Sequence, residues 1–277
     1  MQHYWNDEIR RSYLYIVRMD SIPSNGHSFN PCLRKSTSIQ PAVADIHRRD
    51  SGSPKDIILS EKANCLYVND ETWIYKIDLE LCQVIRWQSF TNFENNLMSI
   101  SNEGDLISLS VTDSSYYYRQ LDVYRPDAVR TWSFLLQGVL GARQAIETPD
   151  EDFIIIREYR EVVYTPVRRS TEGLCLVNSL GKQSKLQSFT DSRKYWGHIH
   201  RLFVSTENRR LYVFYYNEYN YQHILASLDV ETLRRKHDLL TIYTDCDRSV
   251  IAWYEDTNEQ FIAGCNGNIK VYKIIIQ

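Results

Sequence analysis

Two histidines spaced two residues apart, His198 and His200, are the first residues in this chain whose type and spacing could do chemistry. On a β-strand this spacing directs both imidazoles to one face, a geometry compatible with a metal ion. No third ligand stands nearby in the sequence. We therefore expect no metal and no cofactor, and His198 and His200 are the residues to examine if a metal does bind.

Two acidic clusters, Asp150-Glu151-Asp152 and Asp245-Cys246-Asp247, have the residue types of general acid–base catalysis. Acids in turns more often accept backbone N–H groups or face water. The chain has no Gly-x-Ser-x-Gly elbow, phosphate-binding loop or dinucleotide fingerprint. Its 10 glycines in 277 residues leave little material for a phosphate cradle. These observations predict a protein that is not an enzyme.

Tyrosine stands out in the composition, with 20 copies in the chain. Several stand in two clusters, Tyr116 to Tyr118 and Tyr215 to Tyr221, among polar residues. Exposed aromatic side chains beside polar groups suit a protein interface. Packing between sheets is the alternative, and we expect it for Tyr117, Tyr212 and Tyr272. The candidate partner-binding residues are Tyr116, Arg157, Tyr216, Glu218 and Tyr219.

The bulk composition excludes several classes of protein. A net charge of −3 gives no general attraction to nucleic-acid phosphates. The chain has no run of 18 apolar residues, so no transmembrane helix is expected. The first eight residues contain acids and lack the apolar segment of a secretory signal peptide. We expect a cytoplasmic protein, or a fragment whose targeting segment is absent. The six cysteines form no Cys-x-x-Cys pair, which predicts buried, reduced thiols.

The elements that must position these residues follow a repeat. Polar turns that are rich in acids or Asn, each followed by an apolar strand, begin at Ser60, Ser101, Thr148, Ser205 and Glu255, at spacings of 41, 47, 57 and 50 residues. Strands that end in an apolar residue followed by Asp or Asn recur at spacings close to those of the turns. These acids and amides are Asp78, Asp122, Asn178 and Asp229. Several short strands per unit of this length are typical of a β-propeller.

The unit from Leu97 to Phe134 predicts four strands most directly. They are Leu97–Ile100, Leu106–Val111, Tyr116–Tyr124 and Val129–Phe134, which we letter A to D. Alternating apolar residues and a high content of β-branched and aromatic residues support them. No window of the chain has convincing helical periodicity.

The repeat predicts an all-β fold, a β-propeller of four-stranded antiparallel blades, with five to seven blades in a single domain, 1–277. The domain divides into a partial unit, 1–20, a loop-rich connection, 21–55, and units 56–90, 91–134, 135–189, 190–242 and 243–277. Both ends of the chain fall inside a unit. Either the N-terminal strands complete the last sheet, or the chain is part of a longer propeller.

Two segments resemble repeats of known propellers. The run from Ile262 to Tyr272 resembles the end of a WD repeat, and Gly197-His198 stands where WD repeats place a Gly-His pair. The segment from Leu66 to Phe90 is similar to quinoprotein-type or NHL-type repeats. The resemblance implies membership of the WD-repeat-like superfamily, a toroid of four-stranded sheets, and most often a protein-interaction role.

Together these observations favour a non-enzymatic scaffold that docks a protein or peptide on a Tyr-rich face formed by the B–C and D–A loops. The alternative is a propeller enzyme or small-molecule binder that uses the central channel. That alternative needs polar side chains on the A strands, which offer mainly apolar residues at Ile57–Leu59, Met98–Ile100 and Leu202–Val204. A third hypothesis is a structural segment of a larger chain or complex.

Overall fold

The computed structural model describes residues 56–69, 73–81, 83–89, 97–111, 119–136, 142–160, 170–188, 198–217, 221–242, 250–256, 258–265 and 268–274. The chain divides into two compact units, Met1–Glu94 and Asn95–Gln277. The predicted segments 1–20 and 21–55 lie outside the described residues, and the assignment of 1–277 to one domain stays a prediction. No described segment forms an apolar helix of membrane-spanning length.

The first unit contains one antiparallel sheet in which each strand pairs with the next along the chain. Its strands are β1 (Asp56–Ser60), β2 (Cys65–Asn69), β3 (Trp73–Asp78) and β4 (Val84–Ser89). Val68, Tyr75 and Ile77 form its buried cluster. This sheet corresponds to the predicted unit 56–90.

The second unit contains four more sheets of the same kind. Their strands, in chain order, are β5 (Ser99–Ile100), β6 (Leu106–Val111), β7 (Arg119–Tyr124) and β8 (Arg130–Leu136); β9 (Ala145–Glu147), β10 (Phe153–Arg160), β11 (Ser170–Val177) and β12 (Gln183–Ser188); β13 (Ile199–Ser205), β14 (Arg210–Asn217), β15 (Gln222–Asp229) and β16 (Arg235–Ile242); and β17 (Ile251–Glu255), β18 (Gln260–Cys265) and β19 (Asn268–Lys273). The last sheet has three strands among the described residues.

The protein is therefore an all-β propeller with five described blades, which confirms the predicted fold class. We number the sheets blades 1 to 5 in chain order. The strands predicted from Leu97 to Phe134 agree with β5 to β8; among the described residues the boundaries differ by up to two residues, and Tyr116–Tyr118 lie outside the described part. No helix occurs in the described ranges.

The A–B turns explain the polar repeat of the sequence. The Oγ atom of Ser101 accepts the N–H groups of Glu103 and Asp105 at 3.2 and 3.0 Å. The hydroxyl of Thr148 accepts those of Asp150 and Asp152 at 3.3 and 3.2 Å. One residue in each turn has a positive φ, which favours Gly and Asn. These residues are Asn64, Gly104, Glu151, Arg209 and Glu259, with φ of 48°, 91°, 62°, 48° and 50°.

The C–D turns explain most of the recurring Asp and Asn residues at the strand ends. Oδ1 of Asp78 accepts the N–H groups of Glu80 and Leu81 at 2.9 and 2.7 Å. Asn178 and Asp229 accept in the same way from Lys182 and Thr232, at 2.7 and 2.8 Å. Asp and Asn are favoured in turns because their side chains bind nearby backbone N–H groups.

Asp122 does not follow the predicted pattern. It lies inside β7, opposite Ser133, and is buried. Its carboxylate accepts from the amide of Gln120 at 2.8 Å and lies 3.6 Å from a guanidinium nitrogen of Arg130. The turn after β7 uses Asp127 instead, whose Oδ1 accepts the N–H of Val129 at 3.1 Å. The prediction that Leu121-Asp122 ends a strand was therefore wrong.

The core of the second unit lies between successive blades. Alternate residues of β10 show how it is built. Ile154 and Ile156 pack with residues of blade 4, whereas Phe153 and Ile155 pack with residues of blade 2. A third cluster joins blades 4 and 5. Because side chains of a strand alternate between its two faces, each blade supplies two apolar layers, and every fully buried aliphatic side chain contributes roughly 1.5–3 kcal/mol.

Candidate functional site

The A strands of blades 2, 3 and 4 lie next to one another, since β9 contacts both β5 and β13. Polar side chains gather where these strands begin. We call this group the polar cluster. The end of the strands that carries it also carries the B–C and D–A connections, and we call it the B–C end. The polar cluster consists of Ser99, Arg143, Gln144, His198, His200, Arg201 and, from the start of β15, His223.

Gln144 ties the three A strands together. Its side chain is 1% exposed. Oε1 accepts the N–H of Leu202 at 2.8 Å, while Nε2 donates to the carbonyl of Leu202 at 3.2 Å and to the hydroxyl of Ser99 at 3.1 Å. The amide therefore satisfies buried polar groups of the two neighbouring blades.

Two arginines extend these ties. Arg143 donates from one guanidinium nitrogen to Nε2 of His198 at 2.8 Å and from the other to the carbonyl of Ile199. Arg201 donates to the carbonyl of Met98 at 3.2 Å. Because a guanidinium group only donates, Nε2 of His198 is the acceptor in this hydrogen bond. The bonds fix both guanidinium groups in place.

His200 and His223 form a second contact in the polar cluster. Nε2 of His200 lies 3.1 Å from Nδ1 of His223, which is hydrogen-bond distance. The ring centroids are 5.1 Å apart and the planes differ by 27°, so the rings lie side by side with their nitrogen edges facing. Burial, together with the smaller effects of His223, His198 and Arg143, lowers the pKa of His200 to about 3.

An aromatic row continues from these histidines into blade 5. Tyr216 lies 4.9 Å from His223 between ring centroids, and Phe214 lies 5.2 Å from His200. Phe214 also lies 5.2 Å from Phe261 of β18. Tyr212, Phe214 and Tyr216 share one face of β14 because they are two residues apart. The row packs the polar cluster against the core.

The structure corrects one expectation about the site residues. Tyr216, expected as an exposed anchor, is only 8% exposed because the alternation of β14 directs it into the aromatic row. Tyr212, expected to pack, is fully buried, and Tyr272 packs against the cluster of blades 4 and 5. The candidates Tyr116, Glu218 and Tyr219 lie outside the described residues, as does Tyr117.

Two further residues bear on binding at the B–C end. Arg157 is half-buried in β10, and its charge opposes the effect of burial on Cys175, whose pKa is raised to about 11. Tyr221, in the B–C turn of blade 4, is 74% exposed. It belongs to the predicted tyrosine cluster, although it was not among the candidates.

Charge is unequal at the two ends of the strands of the second unit. Within the described side chains, the charged groups at the B–C end are arginines: Arg119, Arg143, Arg157 and Arg201. The opposite end, which we call the A–B end, carries acids in every described A–B turn. These acids also link blades, since Glu147 accepts the N–H of Asn102 at 2.6 Å and Asp256 accepts that of Thr206 at 2.9 Å.

A metal ion is not favoured at the polar cluster. No group of three or more His, Cys, Asp or Glu side chains suited to a metal occurs in the described part of the chain. The cationic Arg143 beside His198 also opposes a divalent cation. The expectation of no metal and no cofactor stays a prediction.

A cavity of about 370 Å³ lies between blades 2 and 3, beside the C–D turn of blade 3. Phe134, Leu136, Val177 and Leu180 form its apolar wall, with Lys182 and Gln183 at one side. Small-molecule sites combine an apolar wall with several polar groups that converge on the ligand. The polar cluster, not this cavity, therefore has the richer chemistry.

Comparison with known proteins gives the fold alone. No protein-family model matches the chain, and no curated protein matches it. Among solved structures, it is similar to hydrazine synthase of Kuenenia stuttgartiensis (TM-score 0.59, 16% identity, covering 81% of this chain and 72% of that one). It is also similar to a gluconolactonase of Xanthomonas campestris (0.55, 13%, 80% and 73%) and to a chain of a nidogen/laminin complex (0.50, 14%, 77% and 76%).

The sequence interpretation missed most of the polar cluster. It named His198 and His200 but not Arg143, Gln144 or His223. It described the A strands as mainly apolar and did not consider the polar residues Arg143, Gln144 and His198 that immediately precede β9 and β13. The available signal was that a polar residue immediately precedes both β9 and β13, Gln144 in one repeat and His198 in the next.

Proposed function

We propose that the protein is a non-enzymatic binding propeller whose B–C end docks an acidic segment of a protein or peptide. The observation that carries the proposal is that Arg119, Arg143, Arg157 and Arg201 all lie at this end of blades 2 to 4, Arg119 buried and the other three half-buried. Arginine and aromatic residues dominate the binding energy of protein interfaces, and arginine pairs with carboxylates in a bidentate way. The exposed Tyr221 supplies an aromatic side chain at the same end.

Three further points support this proposal. The bonds of Arg143 to His198 and Ile199 hold its guanidinium in one geometry before a partner arrives, which reduces the entropy lost on binding. The resemblance to WD-repeat-like propellers implies a protein-interaction role. The acids at the A–B end disfavour docking of an acidic segment there, so charge selects one end of the strands.

Selection from a displayed random peptide library tests the proposal. Peptides enriched on the full chain are expected to contain clustered Asp or Glu, and their affinity is expected to fall as salt is raised. The variants Arg157→Gln and Tyr221→Ala are each expected to weaken binding about tenfold. Tyr116→Ala and Tyr219→Ala test the remaining tyrosine candidates.

Glu207→Ala, an exposed change at the A–B end, is the matched control and is expected to leave the affinity unchanged. Enriched peptides without acids, or equal affinities for all these variants, would exclude an acidic partner at the B–C end. Thermal melting of each variant separates loss of binding from loss of fold.

A second candidate function is binding of a small anionic molecule at the polar cluster. The donors of Arg143 and Arg201 at the starts of the A strands favour it. A panel of small carboxylates and phosphates is then expected to raise the melting temperature of the wild type but not of Arg201→Gln. No shift with any compound would exclude this candidate.

A further inference from the structure

The contact between His200 and His223 connects strands that are not neighbours. In blade 4, β14 lies between β13 and β15, so the two imidazoles meet across the intervening strand. The register of β13 with β14 shifts between Ile199 and Arg201, which makes His200 the extra residue of a β-bulge. A bulge re-aims the side chain that it carries, and here it turns His200 toward His223.

The bond between the two rings requires one proton, not two. A neutral imidazole has one nitrogen that donates and one that accepts, so the pair is satisfied when exactly one of the facing nitrogens carries hydrogen. If both rings were protonated, two N–H groups and two positive charges would face each other at 3.1 Å. Full protonation is therefore incompatible with this contact.

Among the described contacts of the pair, no acidic group balances the positive charge that protonation would add. From β13 and the segment before it, His198 lies 5.5 Å from His200 between ring centroids. From blade 3, Arg143 lies against His198. From β14, Phe214 and Tyr216 pack on the rings. The neighbours are thus cationic, neutral or aromatic.

We propose that the His200–His223 bond is an acid-released latch that holds the β14–β15 end of blade 4 closed. When both facing nitrogens carry hydrogen the bond breaks, and β13 separates from the start of β15 beside Tyr221. The backbone bond from the N–H of Tyr216 to the carbonyl of His198, 2.8 Å long, lies beside the latch and opens with it. The opening itself does not depend on the proposed function, whereas its use to release a partner rests on that function.

The pH dependence of opening follows from the difference in proton binding between the open and closed states. In the open state His200 titrates near its ordinary pKa of about 6.5, whereas in the closed state its pKa is about 3. Between these values the open state binds more protons than the closed state. Opening is therefore favoured about tenfold for each unit by which the pH falls below about 6.5.

Hydrogen exchange of the full chain tests the latch. The protection factor of the Tyr216 amide is expected to fall about a hundredfold between pH 6.5 and 4.5. The Val213 amide, in the middle of β14, is expected to keep its protection. His237→Gln changes an exposed histidine of β16 and is expected to behave as the wild type.

The decisive variant is the double change His200→Phe and His223→Phe, which keeps aromatic packing but removes titration. It is expected to show a constant protection factor at Tyr216 over the same pH range. An acid-dependent loss that persists in this variant, or its absence in the wild type, would overturn the latch. If the double variant does not fold, nitrogen-15 spectra of the wild-type His200 imidazole decide the question. A latch requires that this ring gains its proton over the same pH range in which the Tyr216 amide loses protection.

Partner release is measured separately, as the affinity for the selected acidic peptide at pH 7 and pH 5. Opening without any change in affinity would retain the latch and reject its regulatory use. Absence of any binding peptide would reject the proposed function but leave the exchange result standing.

Discussion

The side-chain amide of Gln144 binds both backbone polar groups of Leu202, accepting its N–H at 2.8 Å and donating to its carbonyl at 3.2 Å. Gln144 belongs to blade 3 and Leu202 to blade 4. The amide thus takes the place of a neighbouring strand for one residue of the β13 backbone. Because the amide also donates to Ser99 of blade 2, one buried side chain sets the spacing of three A strands.

Replacement of Gln144 by Leu is expected to lower the free energy of unfolding of the second unit by about 2–3 kcal/mol. The change leaves the buried N–H and carbonyl of Leu202 without these bonds, which is the costly case for a hydrogen bond. Denaturant unfolding measures the effect. Gln183→Ala, at an exposed glutamine, is the matched control and is expected to change stability by less than about 0.5 kcal/mol. Equal effects would show that Gln144 is not a tie between blades.

The stability of the A–B turns is expected to depend on the hydroxyl groups that accept their backbone N–H groups. Thr148→Val keeps the shape of the side chain but removes the acceptor of two N–H groups, those of Asp150 and Asp152. A loss of about 1 kcal/mol is expected. Thr148→Ser retains the acceptor and is expected to lose less. A valine variant as stable as the wild type would mean that water replaces the hydroxyl at no cost.

Gly181 is expected to tolerate no side chain while Phe134 is present. It has φ of +77°, and a Cβ atom there would lie 1.9 Å from the ring of Phe134. Gly181→Ala is therefore expected to cost more than the roughly 1–2 kcal/mol of left-handed strain alone. In the Phe134→Ala background the added cost is expected to fall to that strain. A cost that is the same in both backgrounds would exclude the steric contact.

Glu147 is expected to make stability fall as the pH rises. Burial raises its pKa above the usual 4.5, and Glu151, Glu103 and Asp105 raise it further. A raised carboxyl pKa means that the folded state holds the proton more tightly, so stability is greatest below pH 4.5 and is lost as the carboxyl ionises. Glu147→Gln keeps an acceptor for Asn102 and is expected to be more stable than the wild type at pH 7 but not at pH 4. Unfolding at both values tests this, and a destabilised Gln variant at pH 7 would contradict it.

The repeat of the sequence was sufficient to predict the fold because turn chemistry is local. Ser101 and Thr148 bind N–H groups within four residues, so the sequence alone carries the information. Asp122 was misassigned because an Asp beside an apolar residue fits either a turn or a buried position. Its true partners, Gln120 and Arg130, become visible only when β7 and β8 are paired.

The site was harder to predict because its contacts join distant parts of the chain. Arg143 and His198 are 55 residues apart, and Gln144 and Leu202 are 58 apart. Tyr216 was expected to be exposed because its cluster is polar, yet strand alternation buries it and the turn exposes Tyr221. The cytoplasmic location, the absence of nucleic-acid binding and the lack of enzymatic activity stay predictions.

Site-specific photo-crosslinking tests whether the B–C end binds the partner. A photoreactive phenylalanine analogue is placed at position 221 in one variant and at position 180 in another; both native residues, Tyr221 and Leu180, are highly exposed, but at opposite ends of the strands. We expect that position 221 captures the acidic peptide, that Arg157→Gln reduces this capture, and that position 180 captures little. Equal capture at both positions, or capture at position 180 alone, would contradict it.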